Sequence, residues 1–214
     1  MKIVAFVPIK LKSQRLKNKM RLPLGDKMLF QHIFDKLLNV KQDIDIYCYC
    51  SDNSIEKDLP SSVKFLQRDT YLDGDEIKGI QIYESFINDV DGDIYLLCHA
   101  TSPFLKSKTI EIGLNKVIEK GYDSAFSVNR IQTFSWFNGK PLNYKFDGVV
   151  RTQDLEPVFC ETSAFYIFKK KVLTKSNRRI GEKHFMVETD RIESIDIDEK
   201  QDYEIAKKIN LKLL

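Results

Sequence analysis

Residues 10–19, KLKSQRLKNK, follow directly on the apolar segment KIVAFVP and put Lys10, Lys12, Arg15, Lys17 and Lys19 in one loop. Arg21 lies just beyond, and no acid intervenes before Asp26. Cations packed behind a buried strand suit a polyphosphate. Ser13 and the backbone amides can donate hydrogen bonds to phosphate oxygens, Arg15 offers a bidentate fork and Lys19 a point charge. The loop holds no glycine and the chain has no GxxxxGK[ST] run, so this is neither a Walker loop nor a dinucleotide fingerprint. Side chains must therefore meet the charge. A merely solvated basic loop is the competing reading. Phosphate binding is favoured because open α/β sheets take their ligands at the carboxyl ends of their strands.

A second set of chemical groups stands near the C-terminus. Asp196 and Asp198 are two apart in the apolar-alternating segment ESIDID, which predicts a strand with both carboxylates on one face, about 7 Å apart at the backbone. Such a pair can hold Mg²⁺, which prefers oxygen ligands and substrate phosphates. Equally, it can be an acidic strand end at which Asp198 caps a helix. Pairs of the same spacing occur at Asp43 and Asp45, Asp73 and Asp75, and Asp91 and Asp93, so spacing alone selects none of them. His99, at the end of another apolar run, can contact ribose, base or acceptor, act as a base near neutral pH, or be a hydrogen-bonded structural imidazole.

Elements must bring these groups together. Apolar runs at 2–8, 44–50, 94–98, 123–129, 163–168 and 193–198 read as strands, and residues from Met28, 76–86, 107–120 and 199–214 carry helical spacing, His32 being a structural residue on the first of these helices. The alternation predicts an α/β domain over 1–214, a mostly parallel twisted sheet with helices on both faces. Residues 131–160 break it. Trp136, Asn138, Gly139, Pro141, Asp147, Gly148 and Pro157 mark turns of an inserted hairpin or arm.

Composition narrows the classes. With 214 residues, 43% of them hydrophobic, the chain suits one good-sized domain. The net charge is only +3 with 30% charged residues, whereas nucleic-acid binders carry a broader basic face, so no nucleic-acid partner is expected. No run approaches the roughly 18 apolar residues of a membrane span. Cys48, Cys50, Cys98 and Cys160 lack paired zinc spacing and read as reduced, mostly buried thiols. With Met1 leading straight into a strand and no leader pattern, a cytoplasmic soluble protein is expected.

These positions together resemble the cytidylyltransferases that activate sugar acids, the acylneuraminate and Kdo types, over nearly the whole chain. In the Kdo branch the first loop reads like PARxxSxRLxxK; Pro8, Ser13, Arg15, Leu16 and Lys19 match it, and Lys10 stands at the family's arginine. In the acylneuraminate branch a QPTSP segment ends a central strand, where this chain has His99, Ala100, Thr101, Ser102 and Pro103. RTQDLEP at 151–157 is similar to RQDLPP, ETSAFYI at 161–167 to NGAFYI, and ESIDIDEKQDYEIA to the SIDIDxxxDxxxA ending. Met20, His99, Thr162 and Ser163 depart from that branch.

The resemblance implies a Rossmann-like nucleotidyltransferase fold and Mg²⁺-dependent transfer of CMP from CTP to a hydroxyl of an acidic acceptor, with release of pyrophosphate, in bacterial surface-glycan biosynthesis. Pro8, Lys10, Ser13, Arg15, Lys19, His99 and Thr101 would bind the nucleotide, with Lys19, Arg15 and Asp198 catalytic and Asp196 and Asp198 holding the metal. Arg151, Gln153, Asp154, Thr162 and Tyr166 would meet the acceptor. The arm, with Trp136, Phe137, Tyr144 and Phe146, would join a homodimer. The acceptor stays open among nonulosonic acids, Kdo, and a phosphonate or phosphorylated metabolite. A GT-A-like glycosyltransferase using a nucleotide sugar and a degenerate nucleotide-binding protein are the readings from other classes.

Overall fold

The computed structural model describes residues 1–148 and 150–213. Seven strands, β1 (Ile3–Ile9), β2 (Asp45–Cys50), β3 (Lys64–Gln67), β4 (Ile94–Cys98), β5 (Ser124–Ile131), β6 (Val158–Lys169) and β7 (His184–Thr189), form one sheet in the order β7-β5-β6-β4-β1-β2-β3. All its pairings are parallel except the two that β6 makes with β4 and β5.

The period of two explains why both faces of this sheet are dry. Along β1, Ile3, Ala5, Val7 and Ile9 enter one core while Val4 and Phe6 enter the other; β4 divides likewise, with Ile94, Leu96 and Cys98 opposite Tyr95 and Leu97. Helices α1 (Gln31–Leu38) and α3 (Ser107–Glu119) cover the first face through Ile33, Phe34, Leu37, Ile110, Leu114 and Val117. Helices α2 (Gly79–Asp89) and α4 (Lys170–Ser176) cover the second through Tyr83, Phe86, Ile87, Val172 and Leu173. Phe86 stacks on Phe6 with ring centroids 4.3 Å apart, and burial of such a ring contributes about 1.5–3 kcal/mol. Helix α5 (Lys200–Leu213) closes a third, smaller core with Tyr203 and Ala206 against Leu24, Leu29 and Ile197. Cys48, Cys50 and Cys98 are buried free thiols, and Cys160 is an exposed one.

Three expectations are corrected. Residues 193–198 form no strand: a turn over 191–194 leads into an extended stretch tied to the sheet end by Ile197 N–H donating to the Thr101 carbonyl at 2.9 Å. Their apolar alternation reflects Ile195 and Ile197 packing into the third core, and the sheet position beside β5 belongs to β7. The helix expected from Met28 begins at Gln31, because Lys27–Met28 pair with Pro23–Leu24 in a small hairpin around Gly25, whose φ of 68° suits glycine. The helix expected from Glu76 begins at Gly79.

The root of the arm is an extension of the sheet. β5 runs on to Ile131 and pairs there with the start of β6, and between them Trp136–Phe137 and Lys140–Pro141 form a hairpin turning at Asn138 and Gly139, both at positive φ. Between the pairs Glu161–Val128 and Tyr166–Phe126, residues 162–165 of β6 face the single residue Ser127 of β5. This wide bulge is filled by the Ser127 hydroxyl, which accepts from Phe165 N–H at 3.2 Å and bonds Thr162 Oγ1 at 2.7 Å.

Candidate active site

Lys19 is the centre of the site. The loop leaves β1 at Ile9, turns through Asn18 at φ 55°, and delivers Lys19 in a short 3₁₀ turn whose amides are held by Leu16 and Asn18 carbonyls. Lys19 is 7% exposed and donates to the Ile197 carbonyl at 3.0 Å and to Asp198 Oδ1 at 2.9 Å. Arg15, far more open, approaches Asp198 Oδ2 at 2.8 Å. One carboxylate thus carries two first-loop cations from 179 and 183 residues away in sequence. Burial pushes the Asp198 carboxyl up, but Lys19 and Arg15 outweigh it and hold the group below its ordinary range.

Asp196 is the opposite case. Burial, and then the neighbouring Asp198 charge, push its carboxyl up, against the lowering effect of a hydrogen bond from Thr101. Its Oδ1 is buried with no partner. An orphaned carboxylate oxygen beside a second carboxylate fits a divalent cation, since burying an unpaired charge is otherwise expensive. Among the described residues no three His, Cys, Asp or Glu side chains converge on a metal position, so the remaining ligands of Mg²⁺ here would be substrate phosphates and water.

Several hollows open around the first loop, three of them large. One of about 430 Å³ is lined by Pro8, Lys10, Ser13, Arg15 and Lys19; another, of about 390 Å³, by Pro8, Lys10, Arg68, Tyr83 and His99. The third, of about 670 Å³, lies between Lys10–Gln14 residues and Ser51, Asn53 and Asp73. Lys10 is tied across the cleft to the Asp73 carbonyl and, at 3.4 Å, to Asp75, which also takes Gln14 at 2.8 Å. Arg68, 2% exposed, pairs with Asp73 and donates to the Ile9 carbonyl at 3.0 Å, while its Nε has no partner. No sequence feature marks Arg68. The spacing of Asp73 and Asp75 was visible, but only the fold shows that it faces the first loop. Asp91 and Asp93 lie before β4, at the opposite sheet edge, and Asp45 is paired with Lys64.

His99 ends β4 half-buried and lines the second hollow. Its Nδ1 meets the Ser163 carbonyl at 2.5 Å; a carbonyl only accepts, so Nδ1 carries the proton and Nε2 is bare. Burial lowers the imidazole pKa more than that carbonyl raises it. A folded-state value below the unfolded one means that stability is full above the ordinary value of 6.5 and falls as pH drops through it. The melting temperature of wild type should therefore fall more between pH 7.5 and 5.5 than that of His99→Gln. Parallel falls in thermal melts would show that the ring is freely protonated in the fold.

The acceptor-side residues are dispersed. Tyr166 is fully buried, and its hydroxyl donates to Glu161 Oε2 at 2.6 Å; Thr162 is occupied by Ser127. Arg151 and Asp154 form an ion pair at 2.8 Å on the exposed arm, where the Gln153 carbonyl accepts from Gln132. None of these three lines the hollows around the first loop.

A mostly parallel sheet whose first loop gathers cations onto the C-terminal Asp198 is an α/β fold of the nucleotidyltransferase class. The chain belongs to the cytidylyltransferase family, whose model matches residues 4–214. It is 30% identical over 123 residues to N-acylneuraminate cytidylyltransferase A of Danio rerio, covering 54% of this chain and 28% of that protein. It is 22% identical over 219 residues to N-acylneuraminate cytidylyltransferase of Streptococcus agalactiae, covering 95% of this chain and 52% of that one. The chain thus spans about half, or less, of the length of these curated relatives. In fold it is similar to a CMP:2-keto-3-deoxy-manno-octonic acid synthetase complexed with CTP, at TM-score 0.72 and 15% identity with both chains covered completely. It is also similar to the 4-diphosphocytidyl-2C-methyl-D-erythritol synthase of Anaerococcus prevotii, at TM-score 0.67 and 11% identity over 97% of this chain and 95% of that one. No helix among the described residues is long and apolar enough to cross a membrane.

Proposed function

We propose that the chain transfers CMP from CTP to a hydroxyl of an acidic sugar, a nonulosonic acid or Kdo, and releases pyrophosphate. The observation that carries this is the meeting of Lys19 and Arg15 on Asp198, beside the unpartnered oxygen of Asp196. Membership of the cytidylyltransferase family supports cytosine as the base, and the sugar-acid relatives support the acceptor class.

In the reaction the acceptor oxygen forms a bond to the α-phosphorus of CTP as the bond to the bridging oxygen breaks, pyrophosphate leaves and the hydroxyl proton passes to water. Such a displacement needs alignment and charge stabilisation more than a covalent intermediate. Lys19, with Arg15 and Lys10, neutralises the charge that grows on the leaving pyrophosphate. Ser13 and Pro8 shape the phosphate hollow, and Thr101 is assigned to the nucleotide. Asp196 and Asp198 would hold Mg²⁺, whose contribution is Lewis-acid stabilisation at the phosphates. His99 faces the nucleotide or the acceptor. Arg151, Gln153, Asp154 and Thr162 are assigned to the acceptor side, and a homodimer would form on the arm, where Trp136, Phe137 and Phe146 are exposed. The enzyme would work in the cytoplasm, where CTP is available.

Thermal stabilisation by CTP, ATP, GTP, UTP and a nucleotide sugar, each with Mg²⁺, tests this reading. A ligand at 100 times its Kd adds about 2.7 kcal/mol. Selective stabilisation by CTP is expected; preference for the nucleotide sugar, or no response at all, overturns it.

A further inference from the structure

Bordering the hollow lined by Lys10, Tyr83 and His99, a guanidinium, a carboxylate and two phenols form one network outside the proposed triphosphate site. The Arg179 guanidinium carbon lies 3.7 Å from the centroid of the Tyr166 ring. Its Nη1 donates to the Tyr83 hydroxyl at 3.2 Å and its Nη2 to Glu161 Oε2 at 3.3 Å. Tyr83 and His99 both line the same hollow, and the His99 and Tyr166 rings are 6.4 Å apart. This places Arg179 at the edge of the space that an acceptor must occupy if its hydroxyl is to approach nucleotide held at Lys19.

The ion pair within the network is a poor one. A charge-assisted guanidinium–carboxylate contact normally sits near 2.7–2.9 Å and is often two-toothed. Here it is single, at 3.3 Å, and shares an oxygen that already holds the Tyr166 hydroxyl at 2.6 Å. The Arg179 side chain keeps 32% exposure and Glu161 keeps 43%, so an incoming anion can reach both. Stacking on Tyr166 fixes the plane of the guanidinium, which limits the entropy lost when it binds a second partner. The two cations that line the His99 hollow are engaged, Lys10 on Asp75 and Arg68 on Asp73.

We propose that Arg179 determines acceptor specificity by binding an oxyanion of the acceptor, a carboxylate or a phosphonate, with Tyr166 and Tyr83 positioning it and Glu161 its counterion until the acceptor arrives. This rests on the proposed function in taking the acceptor to lie beside His99. It makes Tyr166, which is too buried to touch the acceptor, a positioning residue that acts through Arg179.

The test is calorimetric binding of N-acetylneuraminate, 2-keto-3-deoxy-manno-octonic acid and 2-hydroxyethylphosphonate, each beside its methyl ester, to wild type, Arg179→Gln and Arg179→Lys. CTP-induced thermal stabilisation is measured on all three proteins. Wild type should bind at least one free acid at least tenfold better than its ester, Arg179→Gln should lose that preference, and Arg179→Lys should keep part of it, with stabilisation by CTP unchanged. Which acid shows the preference separates carboxylate from phosphonate. An acid-to-ester ratio in Arg179→Gln equal to that of wild type overturns the proposal, as does failure of all three acids to bind wild type. If Arg179→Gln alone loses its response to CTP through misfolding, the ratio in Arg179→Lys decides: a ratio equal to that of wild type overturns the proposal, and a reduced ratio supports it. Absence of CTP stabilisation in wild type itself counts against the CTP reading, while the acid-to-ester ratio still reports on Arg179.

Discussion

Asp198→Ala should reduce turnover of CTP to background and also destabilise the fold. The first effect follows from losing a carboxylate that would hold the metal against the triphosphate. The second is visible only in three dimensions. Lys19 is 7% exposed, and without Asp198 its ammonium keeps the Ile197 carbonyl as its remaining hydrogen-bond partner. Removing one member of a buried pair strands the other, and for a pair whose carboxylate is itself about one-third open to solvent the loss is about 1–3 kcal/mol. Asp198→Asn keeps an acceptor for Lys19 and should recover much of the stability with little of the turnover. Denaturant melts with a pyrophosphate-release assay separate the two effects. A variant that turns over at near-normal rate would remove Asp198 from the chemistry.

Lys19→Met should show the reverse balance, with turnover lowered about 10²–10³-fold and little stability lost. A charge-assisted donor aimed at developing negative charge in a partly dry site is worth about 2.7–4 kcal/mol in the transition state. The aliphatic stem is replaced by one of similar length in a buried position. Asp198 retains Arg15 at 2.8 Å and stays open enough to hydrate, so no charge is left stranded. The pair of variants therefore discriminates: chemistry fails in both, but stability fails mainly in the aspartate variant. A turnover loss below tenfold in Lys19→Met would move the triphosphate away from Lys19.

The parts of this arrangement that were legible in the sequence are those with local causes. β1 and β4 read as strands because every second residue on both faces is apolar, and the basic loop was visible because its cations are contiguous. The C-terminal ESIDID segment was recognisable as carboxylate-bearing, but its conformation was misread, since alternation reports burial of Ile195 and Ile197 and says nothing of what pairs with the backbone. β3 and β7 were missed because KFLQ and HFMVET are short edge segments with exposed residues among their apolar ones. Arg68 on Asp73 and Arg179 on Tyr166 rest on contacts that the chain creates only when it folds, between residues that follow β3 and between β6 and the segment after α4. No spacing rule marks such a contact.

The union of arm and sheet has a mechanical consequence. β5 and β6 pair again beyond the bulge, at Val128–Ile131 and Val158–Glu161, so the root of the arm is backbone-paired to the sheet that carries the site. Between that root and the rest of the sheet lies the bulge at 162–165. Ser163, held there at φ 59°, carries the carbonyl that fixes the tautomer of His99. The backbone of residue 163 is thus a shared anchor, at once part of the root of the arm and the support of a ring that lines the cleft.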